Sequence, residues 1–337
     1  MIVCFGEIML RLTPPGHMKI EQAQNFEFCF GGAEANTAVL LARLGLKSAF
    51  VTKLPDNPIG RACLNKLREN QVETKHIIMD NSNKARLGIY FCEQGTSQRP
   101  SRVFYDRRNS CFALMGAEDA PHWESVLKTA SWLHFTGITP ALGEGPRISL
   151  KEACQTARRL KIPVSCDLNY RASLWDGVSA RETMEEYMPF VSLLIANCGS
   201  AKDVFNIGGG VDAPPDAQNT LRIARTISEK YNIPRVAMTM RTVKSASRNL
   251  WQGFYLDNGR PYFSREYEME IIERVGGGDC FSAGLILGLL KGWDGEKCVQ
   301  FAAAASCLKH SVPGDFPILD MDEIERLADY ENMLINR

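Results

Sequence analysis

The most informative segment of the sequence is Arg274-Val275-Gly276-Gly277-Gly278-Asp279-Cys280-Phe281-Ser282-Ala283-Gly284. Its three successive glycines let neighbouring backbone N–H groups converge on one point without obstruction by a Cβ atom. The apolar run Phe281–Leu290 predicts a buried helix, whose first turn adds unpaired N–H groups and the positive end of its dipole. We therefore predict an anion-binding turn at the start of this helix, with Asp279 at its mouth.

Asp279 permits two interpretations. A carboxylate beside a bound phosphate is repelled by it, unless the carboxylate takes a proton from a hydroxyl that attacks the phosphorus. The alternative is an ordinary helix N-cap, since Asp is a preferred capping residue. The turn is not a Walker loop, because no Lys-Ser/Thr pair follows the glycines. No G-x-G-x-x-G follows the first predicted strand, which argues against a dinucleotide-dependent dehydrogenase.

Elsewhere, apolar runs typical of buried strands alternate with amphipathic helical patterns, which predicts an α/β fold with a mainly parallel sheet. The predicted strands are Ile2–Ile8, Ser48–Lys53, Ser131–Phe135, Val164–Asp167, Leu193–Ala196 and Arg235–Met240. The predicted helices are Gly31–Gly45, one that opens at Asn57-Pro58, Arg147–Leu160, Arg181–Met188 and Ala217–Tyr231. The sequence contains no internal repeat or linker, so residues 1–337 are expected to form one domain.

Two segments, Arg11–Phe30 and Leu87–Asp106, interrupt this alternation. The second contains two short alternating strands, Leu87–Glu93 and Arg102–Asp106. Parallel strands need helical crossovers, so strands inserted here do not easily join the main sheet. We predict a small separate β-sheet, formed by about residues 11–30 and 87–108, that acts as a lid over the carboxyl edge of the main sheet, where α/β proteins bind ligands.

The composition excludes several classes of protein. Hydrophobic residues make up 45% of the chain, which excludes disorder for most of it, and 39 Lys and Arg balance 39 Asp and Glu. No basic field is therefore expected to hold a nucleic acid or a membrane surface. No apolar stretch reaches the roughly 20 residues of a transmembrane helix. The eleven cysteines are scattered without a CxxC motif, and the N-terminus lacks the features of a signal peptide, so we expect a cytoplasmic protein.

A second glycine pair stands in Gly31-Gly32-Ala33-x-Ala35-Asn36-x-Ala38, and taken alone it is explained by a turn or by close helix packing. Together with Gly276-Gly277-Gly278-Asp279-x-Phe281-x-x-Gly284, it resembles the ribokinase-like (PfkB) family of carbohydrate kinases. The resemblance implies a three-layer α/β/α core and phosphoryl transfer from ATP, with Mg²⁺, to a sugar hydroxyl. In that family Asp279 would be the catalytic base, and the amides of Gly276, Gly277 and Gly278 would stabilise the transferring phosphoryl group.

The lid and the core suggest which sugar is used. Arg107 follows the second lid strand and Arg171 follows a core strand, so lid closure would bring both over one ligand. Two guanidinium groups favour a carboxylate, hence an acidic sugar, although both arginines are alternatively ordinary surface charges. The same positions resemble the 2-keto-3-deoxygluconate kinase branch, whose product is 2-keto-3-deoxy-6-phosphogluconate; a neutral-sugar kinase of the fructokinase or ribokinase type is the alternative. The resemblance implies the substrate contacts Gly32, Tyr90, Tyr105, Arg107, Arg171 and Asp315.

The resemblance also implies where the nucleotide binds. The implied contacts are Asn169, Arg171, Asn197, Met240, Arg241, Thr242, Lys244, Ser245, Gly276 and Gly278. Two departures from the family pattern occur here: Asn197-Cys198-Gly199-Ser200 lacks the usual Glu at its last position, and Met240–Ser245 replaces a glycine-containing turn. Arg241 and Lys244 either contact phosphate oxygens or are solvated. The missing acid keeps open a non-catalytic sugar or nucleotide sensor, and no metal ligands are assigned.

The lid itself predicts self-association. Its strands leave unpaired edges and an apolar face containing Ile89, Phe91 and Val103, which is costly to expose. We therefore expect a homodimer, or a higher oligomer, that forms through the lid.

Overall fold

The alternation of strands and helices produces a large β-sheet in the computed structural model, which describes residues 1–116, 119–208 and 216–329. The strands are β1 (Ile2–Phe5), β2 (Met9–Thr13), β3 (Glu27–Gly31), β4 (Ser48–Val51), β5 (Lys53–Pro55), β6 (Ile78–Asp80), β7 (Gly88–Glu93), β8 (Arg102–Asp106), β9 (Trp132–Thr136), β10 (Val164–Asp167), β11 (Leu193–Ala196), β12 (Arg235–Val243), β13 (Arg248–Asp257) and β14 (Arg260–Glu270). The α-helices are α1 (Ala33–Arg43), α2 (Pro58–Glu69), α3 (Trp123–Leu127), α4 (Ile138–Ala141), α5 (Glu144–Arg159), α6 (Gly177–Glu185), α7 (Cys198–Phe205), α8 (Ala217–Tyr231), α9 (Gly277–Leu290), α10 (Gly295–Lys309) and α11 (Met321–Asp329).

The main sheet has the strand order β14–β13–β12–β11–β10–β9–β1–β4. Neighbouring strands from β4 to β12 are parallel, whereas β13 and β14 are antiparallel additions at one edge. The predicted α/β class with a mainly parallel sheet is confirmed. Because the parallel strands end at one edge, the residues that follow β1, β10 and β11 are brought together there.

Two hydrophobic cores cover the two faces of this sheet. Since successive strand residues point to opposite faces, Ile2 and Cys4 of β1 pack in one core and Val3 and Phe5 in the other. The first core contains apolar residues of α1, α9 and α10, and the second contains those of α5, α6 and α8. The three layers are therefore helices, sheet and helices, as expected.

The lid is a separate sheet with the order β3–β2–β7–β8, and the prediction of a small separate sheet is confirmed. The prediction that Val103 shares one apolar face of the lid with Ile89 and Phe91 is wrong. Residues paired across neighbouring strands share a face, and Val103 pairs with Cys92, which lines the cleft described below. Ile89 and Phe91 lie on the outer face, together with Phe28, which is 63% exposed, and Phe104, which is 47% exposed.

Several elements differ from the sequence predictions. The first strand ends at Phe5 rather than Ile8, because the chain leaves the main sheet there to enter the lid at Met9. Gly6 stands at this point, where a Cβ would collide with the Glu34 carboxylate. The hairpin of β13 and β14 was not predicted, although Asn258 and Gly259, with φ of 47° and 83°, form the Asn-Gly turn typical of hairpins. In the described ranges, no helix combines the length and apolar character needed to cross a membrane.

Candidate active site

The carboxyl edge of the main sheet and the inner face of the lid enclose a cleft of about 810 Å³. Most of the residues predicted for the site line this cleft. They are Gly32, Tyr90, Tyr105, Arg107, Asn169, Arg171, Asn197, Arg241, Gly276, Gly277, Gly278, Asp279 and Asp315.

Asp279 lies in the first turn of α9, but it is not the N-cap. The cap residue is Gly276, whose φ of 93° requires the left-handed conformation that glycine adopts readily. The Asp279 side chain is 9% exposed, and its Oδ2 accepts a hydrogen bond from Asn36 Nδ2 of α1 at 2.7 Å. The capping interpretation is therefore wrong, and the carboxylate is held at the wall of the cleft by the helix that follows Gly31-Gly32.

The surroundings of Asp279 favour its protonated form. Burial raises the pKa of Asp279 to about 7, and the nearby charges of Asp167 and Glu34 add to this effect. The hydrogen bond from Asn36 and the charge of Arg171 lower the pKa, but by less. A carboxylate that titrates near neutrality can accept a proton from a hydroxyl group at physiological pH.

The glycine turn leaves backbone N–H groups facing the cleft. The first four N–H groups of a helix have no partner within it, and here they belong to Gly276, Gly277, Gly278 and Asp279. A Cβ on Gly277 would collide with the His310 ring, and one on Gly276 would lie 2.9 Å from Asp315 O. Beyond the adjacent backbone of α9 itself, no atom of the described residues lies within 4 Å of the Cβ position of Gly278, which opens into the cleft. The turn can thus cradle an anion.

Of the two predicted sugar-binding arginines, Arg107 forms an ion pair with a carboxylate of the described residues and Arg171 does not. Arg107 is buried and donates to Glu7 Oε2, with Nε at 2.9 Å, while Ser110 donates to the other oxygen of Glu7. Arg171 is exposed to the cleft, and its Nη1 donates to the neighbouring Tyr170 O at 3.2 Å. In the described parts of the chain, no carboxylate lies within 4 Å of the Arg171 guanidinium, so its charge remains available.

Tyr90, Tyr105 and Asp315 lie on the lid side of the cleft. The Tyr90 hydroxyl donates to Asp315 Oδ2, and Tyr90 and Tyr105, opposite each other in the lid, have ring centroids 5.8 Å apart. Burial raises the pKa of Asp315, whereas the Arg11 charge and the Tyr90 hydrogen bond oppose this shift. Both tyrosines present an aromatic surface of the kind that contacts sugar rings or chains.

Among the predicted nucleotide contacts on β12, some line the cleft and others do not. Arg241 points into the cleft, as does Trp251, its partner on β13. The alternating residues Met240 and Thr242 lie outside the cleft lining, and Met240 belongs to the second core. Lys244 and Ser245 also lie outside the lining. Lys244 Nζ is 3.1 Å from Glu268 Oε1.

Comparison with known proteins identifies the family. The model of the pfkB family carbohydrate kinases matches residues 1–318. This chain belongs to that family. A curated relative, the 2-dehydro-3-deoxygalactonokinase of Haloferax volcanii, is 32% identical over 326 residues, covering 97% of this chain and 96% of that protein. The crystal structure of the Thermotoga maritima 2-dehydro-3-deoxygluconokinase is 46% identical, covers 97% of this chain and 98% of that one, and superposes with a TM-score of 0.93.

In this carbohydrate kinase, Ser200 has a clear structural role where the family pattern has an acid. Asn197 Oδ1 accepts from the Ser200 amide at 2.8 Å, and Ser200 Oγ accepts from the Asn197 amide at 3.0 Å. These reciprocal bonds form a capping box at the start of α7. The substitution therefore removes a charge from the cleft without leaving the helix uncapped.

Sequence reasoning missed several cleft residues of the kinase. Asp167, at the end of β10, is partly buried, and its desolvation raises its pKa to about 6; its Oδ1 accepts a hydrogen bond from the Asn169 amide at 3.1 Å. Glu34 is buried on α1 and accepts hydrogen bonds from Thr136 and Thr139. Asp167 is the last residue of a predicted parallel strand, at the edge where α/β proteins bind ligands, and that position was the available signal. Glu34 carries no such signal, because its partners are about a hundred residues away.

Proposed function

We propose that this kinase transfers the γ-phosphoryl group of ATP to the terminal hydroxyl of 2-keto-3-deoxygluconate. The observation that carries the proposal is a buried carboxylate, Asp279, with a pKa of about 7 beside an anion-binding glycine turn. The available Arg171 in the same cleft favours an acidic acceptor. The names of the Haloferax and Thermotoga relatives, both kinases of 2-dehydro-3-deoxy acids, support the same class of substrate.

Asp279 has the role of general base in this reaction. Its carboxylate takes the proton of the terminal hydroxyl as the oxygen forms a bond to the γ-phosphorus. The bond from the γ-phosphorus to the bridging oxygen breaks at the same time, and its electron pair leaves with ADP. The N–H groups of Gly277 and Gly278 stabilise the negative charge on the transferring group, because they are fixed by α9 before the substrate arrives.

The far side of the glycine turn fits the phosphates of a nucleotide. Arg241 and Arg274 line the cleft, and the pKa of Arg274 is lowered by burial and by the neighbouring Arg241 charge. Neither forms an ion pair with a carboxylate of the described residues. The buried Trp251 indole N–H, which lines the same region, has no hydrogen-bond partner among them. Two uncompensated cations and an unused donor suit a polyanionic ligand.

The proposal includes Mg²⁺, which would bind together with the phosphates of the nucleotide. The described residues contain no group of three His, Cys, Asp or Glu side chains arranged to hold a metal ion. Mg²⁺ is commonly bound by phosphates and waters with only one or two carboxylates, and Asp167 and Asp203, which line the cleft, would be available for that role. When bound, the ion neutralises phosphate charge.

A coupled ADP-release assay across acidic and neutral sugars tests the proposal. We expect the highest kcat/KM with 2-keto-3-deoxygluconate. A preference for fructose or ribose would instead identify a neutral-sugar kinase. Calorimetric binding of ATP and sugar without ADP production would indicate a sensor, the alternative raised by Ser200.

Replacing Arg171 by Gln should raise KM for the acidic sugar about 10- to 100-fold, because a charged hydrogen bond contributes about 1.5–3 kcal/mol. Arg171 is also an implied nucleotide contact, but KM for ATP should change less, because Arg241, Arg274 and the glycine turn remain to bind the phosphates. Arg158→Gln is a matched control, since Arg158 is also exposed and donates to a backbone carbonyl, Pro189 O at 2.9 Å, but lies outside the cleft. An unchanged KM for the acidic sugar in the Arg171 variant would remove the argument for an acid substrate.

Self-association through the outer lid face belongs to the same proposal. Phe28 and Phe104 are the exposed centre of this face, and a double change to Asp should convert a dimer into a monomer in sedimentation velocity at micromolar concentration. Val178→Asp is the control, because Val178 is 67% exposed on α6, away from the lid. A wild-type protein that sediments as a monomer contradicts the proposed self-association.

The proposal also includes a cytoplasmic location, which the eleven free cysteines favour.

A further inference from the structure

Arg11 is a buried arginine in the middle of the lid. It lies on β2, between β3 and β7, and is 1% exposed. Its Nη1 lies 2.7 Å from Glu273 Oε2 and 2.9 Å from Asp315 Oδ1, and its Nε donates to Thr13 Oγ1 at 2.8 Å. One guanidinium therefore joins the lid to two segments near the other end of the chain.

Glu273 fixes the backbone that leads into the glycine turn. Its Oε1 accepts the amides of Arg274 at 2.8 Å and Val275 at 3.1 Å, and its Oε2 accepts the amide of Gly314 at 3.2 Å. The next residue, Gly276, caps α9. A change in the position of the Glu273 carboxylate would therefore move the backbone that leads into Gly276, and with it the amides that face the cleft.

The loop that carries Asp315 is held by a second buried cation. Lys309 Nζ donates to Val312 O at 2.9 Å and to Gly314 O at 2.8 Å. Arg11, Lys309, Glu273 and Asp315 form a buried cluster of two positive and two negative charges, each at most 2% exposed. Arg11 and Glu273 do not line the cleft, so their effect on a ligand is indirect.

We propose that Arg11 is a positioning residue that fixes the glycine turn and the Asp315 loop relative to the lid. The proposal rests on the kinase function proposed above, in which the turn amides stabilise the transferring phosphoryl group. Without Arg11, the buried carboxylates of Glu273 and Asp315 lose their shared partner and repel each other. The turn and the lid then move independently, and a displacement of about 1 Å in such a site costs about 100-fold in rate.

The test compares four variants of the full chain. Arg11→Met removes the charge, and Arg11→Lys keeps it on a side chain that is one atom shorter and lacks the Nε–H that donates to Thr13. The double variant Arg11→Met with Glu273→Gln balances the buried charge again. Arg99→Gln is the matched control, because Arg99 Nη1 pairs with Glu93 within the lid, at 3.1 Å, and does not contact the turn.

Hydrogen–deuterium exchange is measured on all variants, independently of turnover. We expect Arg11→Met to accelerate exchange at residues 273–279 and 312–315 about tenfold or more, and Arg99→Gln to affect only the lid. Unchanged exchange at the turn in Arg11→Met overturns the inference, whether or not the acidic sugar is a substrate. A wild type without turnover contradicts the proposed function alone, and the exchange result still decides the inference.

Steady-state kinetics separate positioning from stability. We expect Arg11→Met to lower kcat about 100-fold with KM for ATP within about threefold, and Arg11→Lys to recover part of the loss. The double variant should regain thermal stability without regaining kcat. If kcat returns together with stability, or if Arg11→Met keeps its kcat despite a loosened turn, the role of Arg11 is only structural and the inference is wrong.

Discussion

Asp279→Asn should lower kcat about 10²- to 10⁴-fold and, at pH 8, raise the melting temperature of the protein. The loss of turnover follows because Asn cannot take a proton from the acceptor hydroxyl. The gain in stability follows because Asn places no charge in a site where the carboxylate is buried. Coupled ADP release and thermal unfolding at matched pH measure both effects. Near-normal turnover would rule out the assignment of Asp279 as the base.

The sign of the stability effect depends on pH. The folded-state pKa of Asp279, about 7, lies above its ordinary value of 3.8, so the folded protein binds the proton more tightly than the unfolded chain. The contribution of Asp279 to the free energy of unfolding is therefore present at acidic pH and is lost as the pH rises through 7. At about 1.4 kcal/mol per pKa unit, the loss is a few kcal/mol. The advantage of the Asn variant should therefore grow between pH 5 and pH 8, and an advantage independent of pH would contradict the burial argument.

Gly278→Ala should abolish most turnover while leaving the melting temperature nearly unchanged. Apart from the adjacent backbone of α9, the added methyl group meets no atom of the described residues within 4 Å, so it projects into the part of the cleft where the phosphoryl group is expected. Loss of one preorganised oxyanion donor costs about 10²- to 10³-fold in kcat, and a methyl group that blocks the turn should cost at least as much. Circular dichroism melting and the ADP-release assay measure the two properties.

Gly277→Ala provides the contrast. Its methyl group would collide with the His310 ring, which packs between the turn and Trp251. This variant should lose stability as well as activity, since the buried ring cannot move without disturbing its neighbours. Equal melting temperatures for both alanine variants, or a fully active Gly278→Ala, would contradict the assignment of an open phosphate position to Gly278.

Local patterns predicted the glycine turn well, and long-range contacts explain what they missed. The turn and Asp279 are contiguous in sequence, so the geometry that makes an anion site is visible there. The link from Arg11 to Glu273 and Asp315 joins residues about 260 and 300 positions apart, and no local pattern marks it. Arg107 was correctly assigned to the lid side of the cleft, but its pairing with Glu7 depends on the tertiary structure alone.

The strand register explains the remaining differences. Met240, Arg241 and Thr242 are consecutive on β12, but only Arg241 points into the cleft, because side chains alternate between the faces of a sheet. The same alternation separates Val103 from Phe104 in the lid. Such assignments require the start of each strand to be known to within one residue, which sequence patterns do not provide.

The most direct test is a crystal structure with a non-hydrolysable ATP analogue and 2-keto-3-deoxygluconate. Asn36 already holds Asp279 Oδ2, so Oδ1 is the atom that should face the substrate. We expect Oδ1 to lie about 3 Å from the terminal hydroxyl oxygen, with the γ-phosphate against the glycine amides. A terminal hydroxyl beyond hydrogen-bond reach of both Asp279 oxygens, with the ligands bound, would contradict the proposed chemistry.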